Sequence, residues 1–376
     1  MRSAGTRTTA LGAERGPGRP GRLTGLDWAR GLVALVLVGT ESVLAPRPAQ
    51  LVHAQWTGVT AYDLIFPLFV LLAGCGMALA YQNEVPARRT ARQVLVLLLA
   101  GLAYNVATTA EVTWATFRVT GPLQVFAVLV LVIAPLHRVI RTARAWAVLT
   151  LLAAVGHAVA LAAWADRCGG ALTPACNPSR TIDGALFGAH MYAQGALGHD
   201  PEGVVAIAGA FVTAAAGVTA GHVIARYRRA PLAPLYLLAW AAACFAAGAA
   251  LAQWVAPMKR LWTPSFALTT AAAGILLVAV GLALHDGPAP AWWAAARVRL
   301  AVPLVAVGRN SLLVYFGSSA VLALLLRSGG EPSAAVRIAD AVSRDGDPRL
   351  EFALLSVAAW WLLALVLHRW RIYVRA

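Results

Sequence analysis

"AYDLIFPLFVLLAGCGMALAYQ", residues 61–82, carries one charge, Asp63, at its start. An apolar run of this length matches the ~20 residues a helix needs to cross ~30 Å of hydrocarbon. Lipid leaves no partner for unpaired backbone groups, so an isolated strand is excluded and a helix is expected. The whole chain settles whether the run is a span or a soluble core. Hydrophobic residues make up 60% and charged residues 12% of the 376 positions, and mean hydropathy is +0.69. Soluble domains carry roughly 25% charged residues. The composition is that of a polytopic membrane protein.

Outward from this run the pattern repeats. Ten apolar stretches of spanning character are expected at 27–44, 61–82, 92–110, 119–137, 145–164, 203–225, 232–254, 264–285, 303–326 and 352–368. The fold class predicted is an all-α integral membrane bundle of about ten helices, occupying 26–376. Residues 1–25, rich in Arg, Gly and Thr, read as a disordered basic tail with no apolar centre of a secretory signal. "GAFVTAAAGVTAG", 209–221, is the small-residue composition that lets membrane helices approach closely.

With the tail placed inside, alternation puts the basic clusters Arg88/Arg89/Arg92, Arg138/Arg141/Arg144, Arg226/Arg228/Arg229, Arg297/Arg299 and Arg369/Arg371/Arg375 on the same side. Short cytoplasmic loops are the basic ones, so both termini are expected in the cytoplasm and the localisation is a multi-pass cell-membrane protein. The net charge of +15 is accounted for in this way. Arginines scattered between apolar runs form no aromatic-interleaved patch, and nucleic acid is not an expected partner; membrane lipid is.

Four cysteines are present. Cys75 and Cys244 lie within apolar runs as packing residues. Cys168 and Cys176 share the outer loop 165–202, where a disulfide is compatible with an oxidising face and free thiols remain the alternative. No zinc-like spacing accompanies them, and no metal is expected.

The stretch preceding the opening helix, "HAQWTGVT" at 53–60, raises the functional question. Glu41 ends the first run, Asp63 starts the second and His53 lies in the short connection between them. Ionisable groups at membrane depth are costly and are functional candidates. A carboxylate beside an imidazole fixes its tautomer and suits general-base chemistry. Helix capping by Asp63 and a solvated His53 explain the same letters. The outer loop adds Asp183, His190, His199, Asp200 and Glu202, a cap and rim for an outward cavity. "APMKRLWTPSFAL", 256–268, adds Lys259, the chain's single lysine, and Trp262, which reads as an interface anchor or a substrate contact. Arg309 and Asn310 enter the ninth run from inside, and Gln124 sits near the outer end of the fourth. An arginine there either snorkels or meets a ligand phosphate. Phosphate-binding loops, dinucleotide fingerprints and nucleophile elbows do not occur in the sequence.

Taken in order, "LTGLDWARGLVALVLV" (23–38), "HAQWTGVTAYDLIFPLFVLLAG" (53–74), "FRVTGPLQVFAV" (117–128), "IDGALFGAHMYAQGALGHDPEGVVAI" (182–207), "MKRLWTPSFALTTAAAG" (258–274) and "VGRNSLLVYF" (307–316) resemble the heparan-α-glucosaminide N-acetyltransferase type of transmembrane acyltransferase, with its bacterial relatives. The resemblance implies transfer of acetyl from cytoplasmic acetyl-CoA to an amine on a sugar at the other face. It implies His53 as the catalytic residue, base or acetyl carrier, with Glu41 or Asp63 orienting it. It matches Asp63, Asp183, Asp200, Glu202, Lys259, Trp262 and Asn310 to family positions. From the residues themselves His190 is expected to join Asp183, Asp200, Glu202, Lys259, Trp262 and Asn310 in binding substrate, Arg309 and Gln124 are expected toward the cofactor, and a homodimer is left open. The chain departs from the family's usual asparagine at Glu41 and at Met258, and from an arginine at Val125. The expected function is therefore a transmembrane acetyltransferase with an extracytoplasmic glycan or amino-sugar acceptor. The alternative is a transporter or flippase for a sugar or lipid-linked precursor.

Overall fold

The computed structural model describes residues 22–109, 112–227, 233–344 and 346–374. The expected tail falls almost wholly outside the described residues; Thr24 and Gly25 already belong to the first helix. Thirteen α-helices follow: α1 (Thr24–Glu41), α2 (Ile65–Ala80), α3 (Ala87–Thr108), α4 (Pro122–Val139), α5 (Ala143–Arg167), α6 (Pro178–Phe187), α7 (Val204–Tyr227), α8 (Ala233–Leu251), α9 (Pro264–His285), α10 (Ala291–Arg309), α11 (Ser311–Arg327), α12 (Ala334–Val342) and α13 (Pro348–Arg369). No strand occurs among the described residues.

Eight of these helices are long and apolar enough to cross a membrane, and nine spans result if α10 and α11 count as one bent element. α1, the first expected span, is a helix that carries Asp27, Arg30 and Glu41 within 18 residues. The expected uninterrupted span 303–326 is instead broken at Asn310 with a bend of 61°. Asn310 leaves the helical conformation (φ −116°, ψ 22°). Its side chain accepts from Val374 N at 3.0 Å and donates to Ile372 O at 3.3 Å, so the C-terminal segment occupies the break. The expected solvated cover at 327–351 contains α12, whose Ala335 and Ala339 pack with Leu44 and Phe352.

The bundle has an inner and an outer ring. α7 and α2 bury 78% and 67% of their apolar windows, against 17% for α3 and α13, whose remaining surface suits lipid. Small residues set the inner spacing. A methyl group on Gly31 of α1 would lie 1.9 Å from Leu304 O of α10, and one on Gly308 would lie 1.7 Å from Asp27 O. On the α2–α7 seam, Gly217 and Gly74 stand equally close to Leu71 O and Ala214 O. Without a hydrophobic drive between helices in lipid, this backbone contact is what holds the inner ring together.

α1 runs the depth of the bundle, about 27 Å at 1.5 Å per residue. Its start is tied to α9: Asp286 accepts from the backbone N–H groups of Thr24 and Gly25 at 3.0 and 2.7 Å. Its end, Glu41, reaches the opposite face.

A Gly31→Ala variant should lose about 1–3 kcal/mol through forced separation of α1 and α10. Gly156→Ala on α5, where an added methyl meets nothing within 4 Å, should instead be neutral or gain up to ~1 kcal/mol of helix propensity. Thermal unfolding in detergent compares the two; equal melting temperatures would refute the close-contact account.

Candidate active site

Two features occupy opposite ends of the bundle. The first is a carboxylate–imidazole pair at the start of α2. His53 Nδ1 lies 2.7 Å from Asp63 Oδ1. Asp63 Oδ2 accepts from Ala54 N, Thr60 N and Thr60 Oγ1 at 3.1, 3.0 and 3.0 Å. The loop 53–63 is thus wrapped on one buried carboxylate. Since a carboxylate is the acceptor, Nδ1 carries the ring proton and Nε2 keeps its lone pair. The His53 side chain is 35% exposed and that of Asp63 0%, an arrangement that holds the imidazole rigidly while leaving it reachable. Burial pushes the His53 pKa below its ordinary value, the Asp63 hydrogen bond opposes this, and the positive charges of Lys259 and Arg260 add to the downward push.

Glu41 lies beside this pair without touching the imidazole. It accepts from Tyr62 Oη at 2.9 Å and from Ser319 Oγ at 2.6 Å, and the Tyr62 ring sits 4.6 Å from that of His53. The orienting carboxylate is Asp63, and Glu41 is one side chain removed.

The outer-loop acids form a second cluster. Asp200 accepts from Thr120 Oγ1 at 2.6 Å, Tyr192 N at 3.0 Å, Glu202 N at 3.0 Å and Arg118 Nη2 at 3.4 Å. Glu202 pairs with Arg118 at 2.6 Å. Burial would raise the Glu202 pKa, but Arg118 and Lys259 together hold it below the ordinary value. Asp183 belongs to the helix start beyond: it accepts from Ser179 Oγ at 2.5 Å and caps Val204 N at 2.7 Å. His190 ties two loops, its Nδ1 2.9 Å from Phe117 O. His199 stacks edge-on to Trp56, and its Nε2 is buried without a partner.

Two loops close over the pair. Gly58 N donates to Pro257 O at 3.0 Å and Arg260 Nε to Ala54 O at 3.4 Å. Lys259 arrives with this loop and is only 5% exposed. Trp262, expected at the interface, is fully buried. Its φ of +47° turns the chain sharply, and a methyl on Gly209 would lie 1.8 Å from its carbonyl oxygen. Its indole donates to Thr213 Oγ1 at 3.0 Å and meets Phe66 edge-on at 5.3 Å.

The second feature is a cavity of about 530 Å³ at the far end, lined by residues of α1, α2, α3, α4, α10 and α11. Arg22, Arg30, Arg89 and Arg309 line it together with Phe69, Phe126 and Tyr315. Arg30 donates to Leu72 O at 3.1 Å, and a methyl on Gly76 would lie 2.3 Å from its guanidinium. Arg309 lies 3.6 Å over the Tyr373 ring. Along α2, Phe69, Ala73, Gly76 and Ala80 line the cavity. At alternating four- and three-residue steps the same stripe continues through Phe66 to Tyr62, beneath His53. Gln124, expected toward the cofactor, is not among the cavity-lining residues: it is buried with its amide unpartnered, and a methyl on Gly101 or Gly121 would lie 2.5 or 2.8 Å from its Oε1.

The structure therefore brings together His53, Asp63, Asp200, Glu202 and Lys259 at one face, with Glu41 adjoining. Asn310 stands apart with the C-terminal segment, and Asp183 and His190 serve neighbouring loops. Sequence reading passed over Arg118, Tyr62 and Ser319. A signal existed only for Arg118, which precedes the "TGPLQ" turn, and for Tyr62, the immediate neighbour of Asp63. Cys168 and Cys176 are joined in a disulfide, whereas Cys75 and Cys244 are free and buried. Among the described residues no cluster of His, Cys, Asp and Glu is suited to a metal.

The family model described as heparan-alpha-glucosaminide N-acetyltransferase, catalytic, matches residues 22–168. This segment runs from α1 through α5 and includes the whole His53–Asp63 loop, and over it the chain is similar to that family of membrane acetyltransferases. No curated protein matches the chain.

His53 should react with diethyl pyrocarbonate, which attacks neutral imidazole, down to a midpoint below pH 6.5. Reactivity is lost as pH falls through the depressed pKa. In Asp63→Asn the upward pull of the carboxylate is gone, so the midpoint should move lower still. Peptide mass spectrometry of His53 across a pH series reads both; a midpoint that rises in Asp63→Asn would contradict the assigned hydrogen bond.

Proposed function

Taking the heparan-alpha-glucosaminide N-acetyltransferase family as premise, we propose that the protein is a multi-pass cell-membrane enzyme. It moves acetyl from cytoplasmic acetyl-CoA to an amine or hydroxyl of an extracytoplasmic sugar. Both termini are cytoplasmic, on the side of the basic loop clusters. The observation that carries this reading is the alignment of two features on one helix. A cavity lined by arginines occupies the α2 C-terminal end, and an imidazole fixed by a carboxylate stands over its N-terminal end.

Acetyl-CoA fits the inner feature as a substrate. A volume of about 530 Å³ is within the ~300–1,000 Å³ of small-molecule sites. Coenzyme A carries several phosphate charges, and Arg22, Arg30, Arg89 and Arg309 are the groups that would hold them. The apolar lining of Leu97, Phe69, Phe126 and Val130 suits the pantetheine arm. The stripe from Phe69 to Tyr62 marks the direction of the thioester.

At the outer face His53 acts as general base. Asp63 keeps the proton on Nδ1, so Nε2 accepts the proton of the attacking amine or hydroxyl. The new bond forms between that atom and the thioester carbon. The C–S bond breaks, and the coenzyme thiolate takes the proton back from the imidazolium. A depressed His53 pKa keeps the base form available at neutral pH.

The test is transfer of labelled acetyl from acetyl-CoA to glucosamine by the purified protein in liposomes. Wild type should label the acceptor, and His53→Ala should lose about 10²–10⁴ of the rate. Arg89→Ala removes an exposed cavity arginine and should raise KM for acetyl-CoA about three- to fivefold with kcat unchanged. Undiminished transfer by His53→Ala would sink the catalytic assignment. Sugar flux without acetyl-CoA would point to a transporter instead.

A further inference from the structure

Lys259 is the chain's single lysine among 31 Lys and Arg residues. It is 5% exposed, and among the described residues its ammonium takes part in no ion pair or hydrogen bond. A buried charge without a direct partner is expensive and is rarely kept for stability alone. Its neighbours describe the site it faces. Glu202, Arg260, Asp63 and Arg118 are the charges that act on it, and Lys259 in turn acts on His53. The two competing acids are already occupied, Glu202 by Arg118 and Asp63 by His53. The loop is held in place by Gly58 N on Pro257 O and by Met258 N on Thr263 Oγ1 at 2.9 Å. The ammonium therefore remains available as a donor of three N–H groups, with no acceptor capacity of its own.

We propose that Lys259 is a catalytic residue of the acetyl transfer described above: its ammonium binds the thioester carbonyl oxygen and stabilises the oxyanion that forms there. This rests on the acetyltransferase reading. The acceptor nitrogen attacks the carbonyl carbon, and the π electron pair moves onto oxygen, where the ammonium meets it. His53 Nε2 takes the acceptor proton. Collapse of the oxyanion reforms the carbonyl and expels the coenzyme thiolate, which receives that proton from His53. A general base and an electrophile thus flank one carbonyl, each supplied by a different loop. The electrophile is a compact point charge rather than a planar fork, which explains a lysine in a chain otherwise confined to arginine. Donors aimed at developing charge act most strongly where water is excluded.

Lys259→Met should reduce kcat about 10²–10³-fold, with KM for acetyl-CoA unchanged because the coenzyme phosphates bind elsewhere. A second readout separates catalysis from support. Lys259 depresses the His53 pKa, so removing its charge should move the acidic limb of the pH–rate profile upward, opposite to Asp63→Asn. Lys259→Arg should recover at least tenfold over Lys259→Met. If Lys259→Met fails to fold, as judged by gel filtration and acetyl-CoA binding, Lys259→Gln and Lys259→Arg are read in the same assay. A kcat order of Lys above Arg above Gln, with the limb raised in Gln, supports the role. Wild-type activity with His53→Ala inactive but the neutral variant within threefold of wild type overturns the lysine's role alone. A reduced kcat with an unmoved limb also overturns it. Absence of transfer by the wild-type protein overturns the acetyltransferase reading, and this role with it.

Discussion

The outer half of the molecule is organised by the buried carboxylate of Asp63. A carboxylate removed from water needs its hydrogen bonds supplied by the protein. Here the supply comes from residues Ala54 and Thr60 of its own loop and from His53. Satisfying Asp63 fixes the path of the loop, and the path of the loop fixes the imidazole. The same path presents Gly58 to Pro257 and Met258, which brings the 256–263 loop and its lysine over the pair. One electrostatic requirement at the lip of a membrane helix therefore positions groups from two distant parts of the chain.

Beneath this lip the bundle has a polarity of depth. The α2 stripe from Tyr62 through Phe66, Phe69, Ala73, Gly76 and Ala80 changes from aromatic to small as it approaches the arginine-lined end. Large rings stand between the two features: Phe66 meets Trp262, Phe126 and Tyr315 edge-on. Small residues at the other end leave space for the Arg30 guanidinium and for the cavity itself. Aromatic rings occupy the middle, between the two features, and glycine packing between α1, α10, α2 and α7 keeps the walls from parting.

The family match ends at residue 168, yet Asp200, Glu202, Lys259 and Ser319 all converge on the His53 region. The site is shared between the matched segment and the helices that follow. Arg118 is one polar link across that division, since it pairs with Glu202 and donates to Asp200. Such a cross-brace between loops does not stabilise much at a solvated surface, but at burial it specifies which loops must meet.

The membrane-helical class was legible from apolar run length alone, because lipid admits few backbone solutions. The opening helix, the two packing cysteines and the glycine-rich α7 follow directly from letters. His53 and Asp63 were legible as candidates at one lip of the bundle, but ten extended residues can span about 33 Å, and their contact at 2.7 Å is a finding of the structure. The break at Asn310 was not, since the amide is satisfied by Ile372 and Val374, which no local pattern connects to it. Trp262 read as an interface residue because hydropathy cannot distinguish a ring facing headgroups from one buried against Phe66. Glu41 and Asp63 read equally as the partner of His53, and only packing assigned that place to Asp63 and gave Glu41 to Tyr62 and Ser319. By itself the sequence determined that these helices form and which residues are too polar to sit idle among them. Tertiary structure decided which polar group satisfies which, because hydrogen bonds act over about 3 Å between residues whose separation along the chain does not constrain that distance.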